Sequence, residues 1–362
     1  MNNRTITIGA VAIVALAAIF YFASSQKKVS EDIKVGILLG FTGPIESLTP
    51  DMASGAELAF NEASNSGELL GGSKITILRA DSTCVDSAAA TAAAEDLLSQ
   101  GMTAMMGADC SGVTGAVATN VAVPNGFVMI SPSATSPGLT DLEDKGMFFR
   151  TAPSDARGGQ VLADITNDKG IKSVAITYVN SDYGLGLADV YKAAVEAYGI
   201  TVTTMASHES DKADYSADVG VLSSAGGDAL AVLGYLDNAG GHIIEGSLDS
   251  GAFDTFVLSD GMIGDSLTDR FGSDLNNSFG SMPGSLGEGA QLFKSVAEAG
   301  GINASVYVGE SYDAAALIVL AMQAGESSDK GSIAENIMSV ANAPGEKIMA
   351  GEIAKGLKLL AS

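Results

Sequence analysis

The chain has 362 residues, of which 46% are hydrophobic, and carries a formal net charge of −24. This length suits two or three domains with well-filled cores. The acidic balance, 19 Lys plus Arg against 43 Asp plus Glu, excludes nucleic acid as a partner, because such binding rests on neutralising phosphates.

In chain order, the first 25 residues stand apart. Arg4 precedes an apolar run from Ile6 to Ala23, and Ala23-Ser24-Ser25 then offers small residues where a signal peptidase cuts. This reads as a secretory signal. The run is also long enough to span a bilayer, so the alternative is an uncleaved anchor through residues 6–23. No Cys follows it, which argues against a lipid anchor, and on either reading the remainder is exported.

From Ile33 onwards strand and helix alternate. Buried strands are expected at Lys34–Leu39, Ile75–Arg79, Ala104–Met106, Phe127–Ile130, Ser173–Tyr178, Thr201–Met205, Ala229–Leu233 and Thr255–Leu258. Helices are expected at Asp51–Ser64, Ser87–Gln100, Gly184–Tyr198 and Asn238–Ser250. Such alternation predicts an α/β protein with parallel sheets covered by helices on both faces. The pattern restarts near Arg150-Thr151-Ala152-Pro153, which divides the chain into a first lobe over 31–150 and a second over 151–280. A short strand within Ser278–Pro283 and helices at Gly287–Ala299, Tyr307–Ala324 and Ser332–Val340 suggest that residues 281–362 return to the first lobe.

The two cysteines, Cys84 and Cys110, fall just beyond two predicted strands. Export favours a bridge between them; the alternative is two free thiols. With only His208 and His242 to add, both read as surface residues, no metal site is expected.

Ligands of open α/β sheets sit beyond the carboxyl ends of the strands. There the first lobe offers Ser111 and the run Ser133-Ala134-Thr135, and the second offers Tyr183, Tyr235 and Asp260. If the lobes face each other, Ser111 and Thr135 would take a carboxylate, Asp260 an ammonium, and the two tyrosines would close over the guest. That set suits a zwitterion. Each residue also has an ordinary structural role open to it: helix caps for Ser111 and Thr135, a turn for Asp260-Gly261, rim packing for the tyrosines. Gly184-Leu185-Gly186 lacks the third glycine of a dinucleotide loop. The chain has no Gly-Lys dipeptide, no HExxH and no G-x-S-x-G, so nothing points to an enzyme or to a cofactor.

Taken together, Gly43-Pro44, Asp81-Ser82-Thr83-Cys84, Gly107 to Ser111, Met129 to Pro137, Arg150-Thr151-Ala152, Asp182 to Gly186 and Ser311-Tyr312-Asp313-Ala314 resemble the periplasmic binding proteins of branched-chain amino-acid ABC transporters, the leucine/isoleucine/valine-binding family. The resemblance implies the type I periplasmic binding architecture: two Rossmann-like lobes on a hinge that close over an amino acid. It implies a periplasmic, monomeric receptor that docks on an ABC transporter membrane permease. It further implies a Cys84–Cys110 disulfide and ligand contacts from Ser111, Ser133, Ala134, Thr135, Tyr183 and Tyr235. Asp260 stands where the family carries its ammonium-binding Glu, one methylene shorter.

Two departures bear on the ligand and the hinge. Where the family often has a pocket Tyr after Gly43-Pro44, this chain reads Ile45-Glu46-Ser47-Leu48. Glu46 either opens the pocket to a polar or cationic side chain or is solvated at the cleft mouth. The family's strand-rich tail has no counterpart after the helical stretch Gly351–Ala361, so a looser hinge and an exposed sheet edge are expected. The reading is a receptor for an amino acid, without catalysis. Its rivals are the same fold holding a short amide, urea or another small polar acid, and a membrane-anchored sensory ectodomain.

Overall fold

A computed structural model describes residues 32–284 and 286–362. The signal or anchor expected over residues 1–25 lies outside them. Among the described residues, no helix is long and apolar enough to cross a membrane.

Two five-stranded sheets, all parallel, organise the chain. The first contains β1 (Asp32–Leu39), β2 (Lys74–Asp81), β3 (Ala104–Gly107), β4 (Met129–Ser131) and β5 (Phe148–Arg150), in the order β2-β1-β3-β4-β5. The second contains β6 (Ser173–Val179), β7 (Thr201–His208), β8 (Ala229–Leu233), β9 (Phe256–Leu258) and β10 (Phe279–Gly280), in the order β10-β9-β8-β6-β7. β3, β4, β8 and β9 are buried along their whole length. Such strands need apolar residues on both faces, which is why they read as unbroken runs.

The intervening helices are α1 (Thr49–Ser66), α2 (Ser87–Ser99), α3 (Ser111–Val117), α4 (Asp155–Asp168), α5 (Asp182–Ala197), α6 (Ser216–Ala225), α7 (Gly241–Asp249) and α8 (Asp265–Phe271). Their starts follow from local chemistry. Asp86, Ser154 and Ser181 cap α2, α4 and α5 by accepting backbone N–H groups at the first turn, each cap contributing about 1 kcal/mol.

After β10 the chain continues through α9 (Glu288–Ala299), α10 (Val308–Ala324), α11 (Lys330–Ala341) and α12 (Ile353–Leu360). The apolar α10 packs along α1 and reaches β3 and β4, while α12 covers α1 and α10. Thr151 Oγ1 donates to the Glu310 carbonyl at 2.9 Å, which ties the two crossing segments together.

Several sequence expectations need correction. β5, α4, α6 and α8 were not foreseen. β5 is only three residues long, and α4 begins immediately after the crossover at Ser154. The predicted Phe127–Ile130 strand is Met129–Ser131, because Gly126 at φ 63° closes the preceding helical segment and Phe127 is still leaving it. The helix expected from Asn238 starts at Gly241; before it, Leu236–Gly240 form a distorted turn with Asn238 at φ −122°, ψ −111°. His208 is not a surface residue: it is 2% exposed and its Nδ1 bonds Thr177 Oγ1 at 2.8 Å.

Candidate functional site

The carboxyl ends of both sheets face one cleft, and two glycines allow the backbone to get there. Gly107 ends β3 at φ 125°, where a Cβ would lie 2.1 Å from the Leu38 carbonyl oxygen. Gly184, in the first turn of α5, leaves only 2.1 Å between a hypothetical Cβ and the Val179 carbonyl oxygen. A side chain at either position would push a site loop off its strand. The glycine pair at 184 and 186 is therefore a packing device, with no bearing on nucleotides.

In the first lobe the loops are tied by Asp109, which is buried. Its carboxylate accepts from Gly40 N–H, from Ser82 Oγ at 2.8 Å and from Cys110 N–H at 2.9 Å. The Cys84–Cys110 disulfide joins the same two loops across 26 positions. Ser133 Oγ donates to the Asp109 carbonyl at 3.0 Å, and Ser111 Oγ accepts Ser136 N–H at 3.1 Å.

In the second lobe Tyr183 and Tyr235 stack with ring centroids 5.2 Å apart. Tyr183 OH donates to Asp260 Oδ1 at 2.6 Å and to Ser259 Oγ at 3.0 Å. The other Asp260 oxygen accepts the hydroxyl of Tyr307, a residue from the returning segment. Burial raises the Asp260 carboxyl above the ordinary range, and the two tyrosine hydroxyls pull it back.

A cavity of about 20 Å³ lies between these groups. Ser111, Ser133, Tyr183, Tyr235 and Asp260 all line it, so five of the seven expected ligand residues converge. Ala134 and Thr135 do not reach its wall. The Ala134 carbonyl accepts from Arg150 Nη1 at 3.1 Å, and Thr135 is 1% exposed with its hydroxyl unpartnered. Ile45, Leu48 and Met52 supply an apolar wall. Glu46 is exposed, which favours the solvated alternative for that side chain.

The sequence reading missed Tyr307, Asp109 and Asp155. Tyr307 was visible only as a helix start, and nothing local marks a residue whose partner lies 47 positions away. Asp155, 5% exposed at the start of α4, keeps one carboxylate oxygen without a partner. Burial and the charge of Asp260 push its carboxyl up to about 8, against the opposing pull of Arg150.

A folded-state value above the ordinary one means that the native chain binds the extra proton. Asp155 therefore stabilises the fold at low pH, and that contribution is lost as pH rises through about 8. The unfolding midpoint is expected to fall between pH 5 and pH 9 less steeply in Asp155→Asn than in the parent protein. Parallel profiles for the two proteins would refute this assignment.

Two hydrogen bonds join the lobes. Ser136 Oγ donates to the Asp182 carbonyl at 3.0 Å, and Ser47 N–H donates to Asp237 Oδ2 at 2.9 Å across the cleft mouth.

Two parallel-sheet lobes whose strand ends enclose a buried, mixed polar and apolar cleft define a small-molecule receptor of the type I periplasmic binding class. Residues 32–352 match the family model for periplasmic binding protein. The Leu/Ile/Val-binding protein homolog 1 of Brucella melitensis is 30% identical over 329 residues, covering 89% of this chain and 85% of that protein. Homolog 3 of the same organism is 32% identical over 255 residues, 68% of this chain; the match spans 64% of that relative's length. The crystal structure of the branched-chain amino acid transporter substrate-binding protein LivJ from Streptococcus pneumoniae, in complex with isoleucine, superposes with a TM-score of 0.73 at 24% identity, covering 84% of this chain and 87% of that one. The chain belongs to the periplasmic binding protein family, in its leucine/isoleucine/valine-binding branch.

Proposed function

We propose that this protein is an exported receptor that captures an aliphatic amino acid between its lobes and hands it to an ABC transporter permease, with no chemical step. The observation that carries the reading is the convergence of hydroxyls, stacked tyrosines and one buried carboxylate from separate lobes on a cleft with an aliphatic wall. Ser111, with Ser133, Ala134 and Thr135 behind it, takes the ligand carboxylate. Asp260 takes the ammonium, and Tyr183 and Tyr235 close over the main chain. Ile45, Leu48 and Met52 receive the side chain and select against polar ones, since an unpaired polar group against them would lose its water.

Lobe closure completes the site. About 20 Å³ is room for a single water molecule, so entry of an amino acid requires the lobes to part. The Ser47–Asp237 and Ser136–Asp182 bonds then re-form around the ligand. Hydrogen bonds to charged groups contribute roughly 1.5–3 kcal/mol each, and four or five of them, less the cost of ordering, support micromolar affinity at about −8 kcal/mol. The proposed lobe division at residue 150 and return at residue 281 are where this reading puts the hinge.

The test is thermal unfolding against leucine, isoleucine, valine, polar amino acids, short amides and urea. The three aliphatic amino acids are expected to raise the midpoint by several degrees at saturating concentration, with about 2.7 kcal/mol added at a hundredfold the dissociation constant. A response to amides or urea alone would overturn the zwitterion assignment.

A further inference from the structure

A second cavity, of about 210 Å³, shares Asp260 with the cleft. It is bounded by Asp155 and Asp260, by the apolar Val161, Leu162 and Leu187, and by the half-exposed Met282 at the returning crossover. We propose that this chamber is a second binding site, for a small primary-ammonium cation with a short alkyl body.

Charge and space both argue for it. Two buried carboxylates approach closely enough for Asp260 to disfavour ionisation of Asp155. A zwitterion in the cleft supplies one ammonium, to Asp260, and a second cation beside Asp155 would let that carboxyl ionise as well. Buried charges are paired or neutralised. Arg150 is near, but its guanidinium is committed to the Ala134 and Ser136 carbonyls at 3.1 and 2.9 Å and to Thr140 Oγ1 at 2.6 Å. Arg157 sits exposed at the chamber's edge and reaches towards Gln160 instead. Both Asp260 oxygens accept tyrosine hydroxyls. Asp155 Oδ2 alone is buried without a partner, on a residue that lines the chamber.

The walls set the ligand class. Two carboxylates with Ser154, Ser259 and Ser281 on one part of the wall, and Val161, Leu162, Leu187 and Met282 on the rest, suit one N–H₃⁺ head and a short hydrocarbon body. An engineered apolar cavity of roughly 150 Å³ already admits benzene, so the volume is sufficient. Because Asp260 forms part of both cavities, the two sites are coupled. By linkage, each ligand alters the affinity of the other by the same factor.

The experiment is thermal unfolding of the full-length protein in n-propylammonium chloride, against equal ionic strength of potassium chloride. The parent protein is expected to gain a saturable rise in midpoint. Val161→Phe fills the chamber without touching either carboxylate and is expected to abolish the rise. Asp155→Asn is expected to weaken it about tenfold or more. A cooperative transition without ligand shows that each variant folds. No rise in the parent, or an equal rise in both variants, would overturn the proposal. The leucine response of Val161→Phe is read separately. Its presence or absence bears on the amino-acid function alone, so the two readings fail independently.

Discussion

Asp260→Asn is expected to lose roughly one to two orders of magnitude in affinity for an aliphatic amino acid while remaining fully folded. The carboxylate is 7% exposed and lines the cleft; the other acidic side chain there, Asp109, is taken up by Gly40, Ser82 and Cys110. Removing its charge forfeits a charge-assisted hydrogen bond to the ligand ammonium, worth about 1.5–3 kcal/mol. The fold is spared for a separate reason. Burial raises the Asp260 carboxyl above its ordinary range, so its charge costs the empty protein more than it would in water. An amide keeps the shape, still accepts the Tyr183 or Tyr307 hydroxyl, and relieves the repulsion with Asp155. Calorimetric titration with leucine gives the affinity, and the unfolding midpoint gives the stability. An unchanged affinity would remove Asp260 from the ammonium role.

The second large effect concerns stability. The double variant Cys84→Ser with Cys110→Ser is expected to lose about 3 kcal/mol, by the chain-entropy argument for a loop of this length, read as a lower denaturant midpoint. The bridge spans 26 positions and joins the loop after β2 to the turn that opens α3. Both cysteines are 4% exposed, and Cys110 lines the cleft beside Ser111. Loss of the bridge is therefore expected to loosen the turn proposed to take the ligand carboxylate as well. Asp109 still ties Gly40, Ser82 and Cys110 together, so the fold survives and only its margin shrinks. Equal midpoints for the two proteins would show that this network alone holds the loops.

Much of this arrangement was legible in the chain. Buried parallel strands demand apolar runs with turn residues at their ends, so nine of the ten strands left a readable trace. The exception, β5, is three residues long and only its first is fully buried. Ser111, Ser133, Tyr183, Tyr235 and Asp260 were legible because each immediately follows such a strand, where an open sheet exposes its ligand groups. Ala134 and Thr135 satisfy the same rule, yet they stand off the cavity. The backbone there is fixed from behind by Arg150 and by Ser131, whose hydroxyl accepts Ala134 N–H at 3.0 Å.

What the chain determined alone is local: periodicity, turn chemistry, caps, and the cysteine pair that export allows to bridge. These depend on neighbours a few residues apart. What only the tertiary structure decided is how distant charges meet. Tyr307 reaches Asp260 across 47 positions, and Asp155 shares a chamber with Asp260 from the far end of the same lobe's sequence. Glu46, ambiguous in sequence, turns out to be exposed while Ile45 and Leu48 form the cleft wall. The physical reason is common to all three. The energy of a carboxylate depends on burial and on which charges and hydroxyls lie within a few ångströms, and those distances exist only once the two sheets have closed on each other.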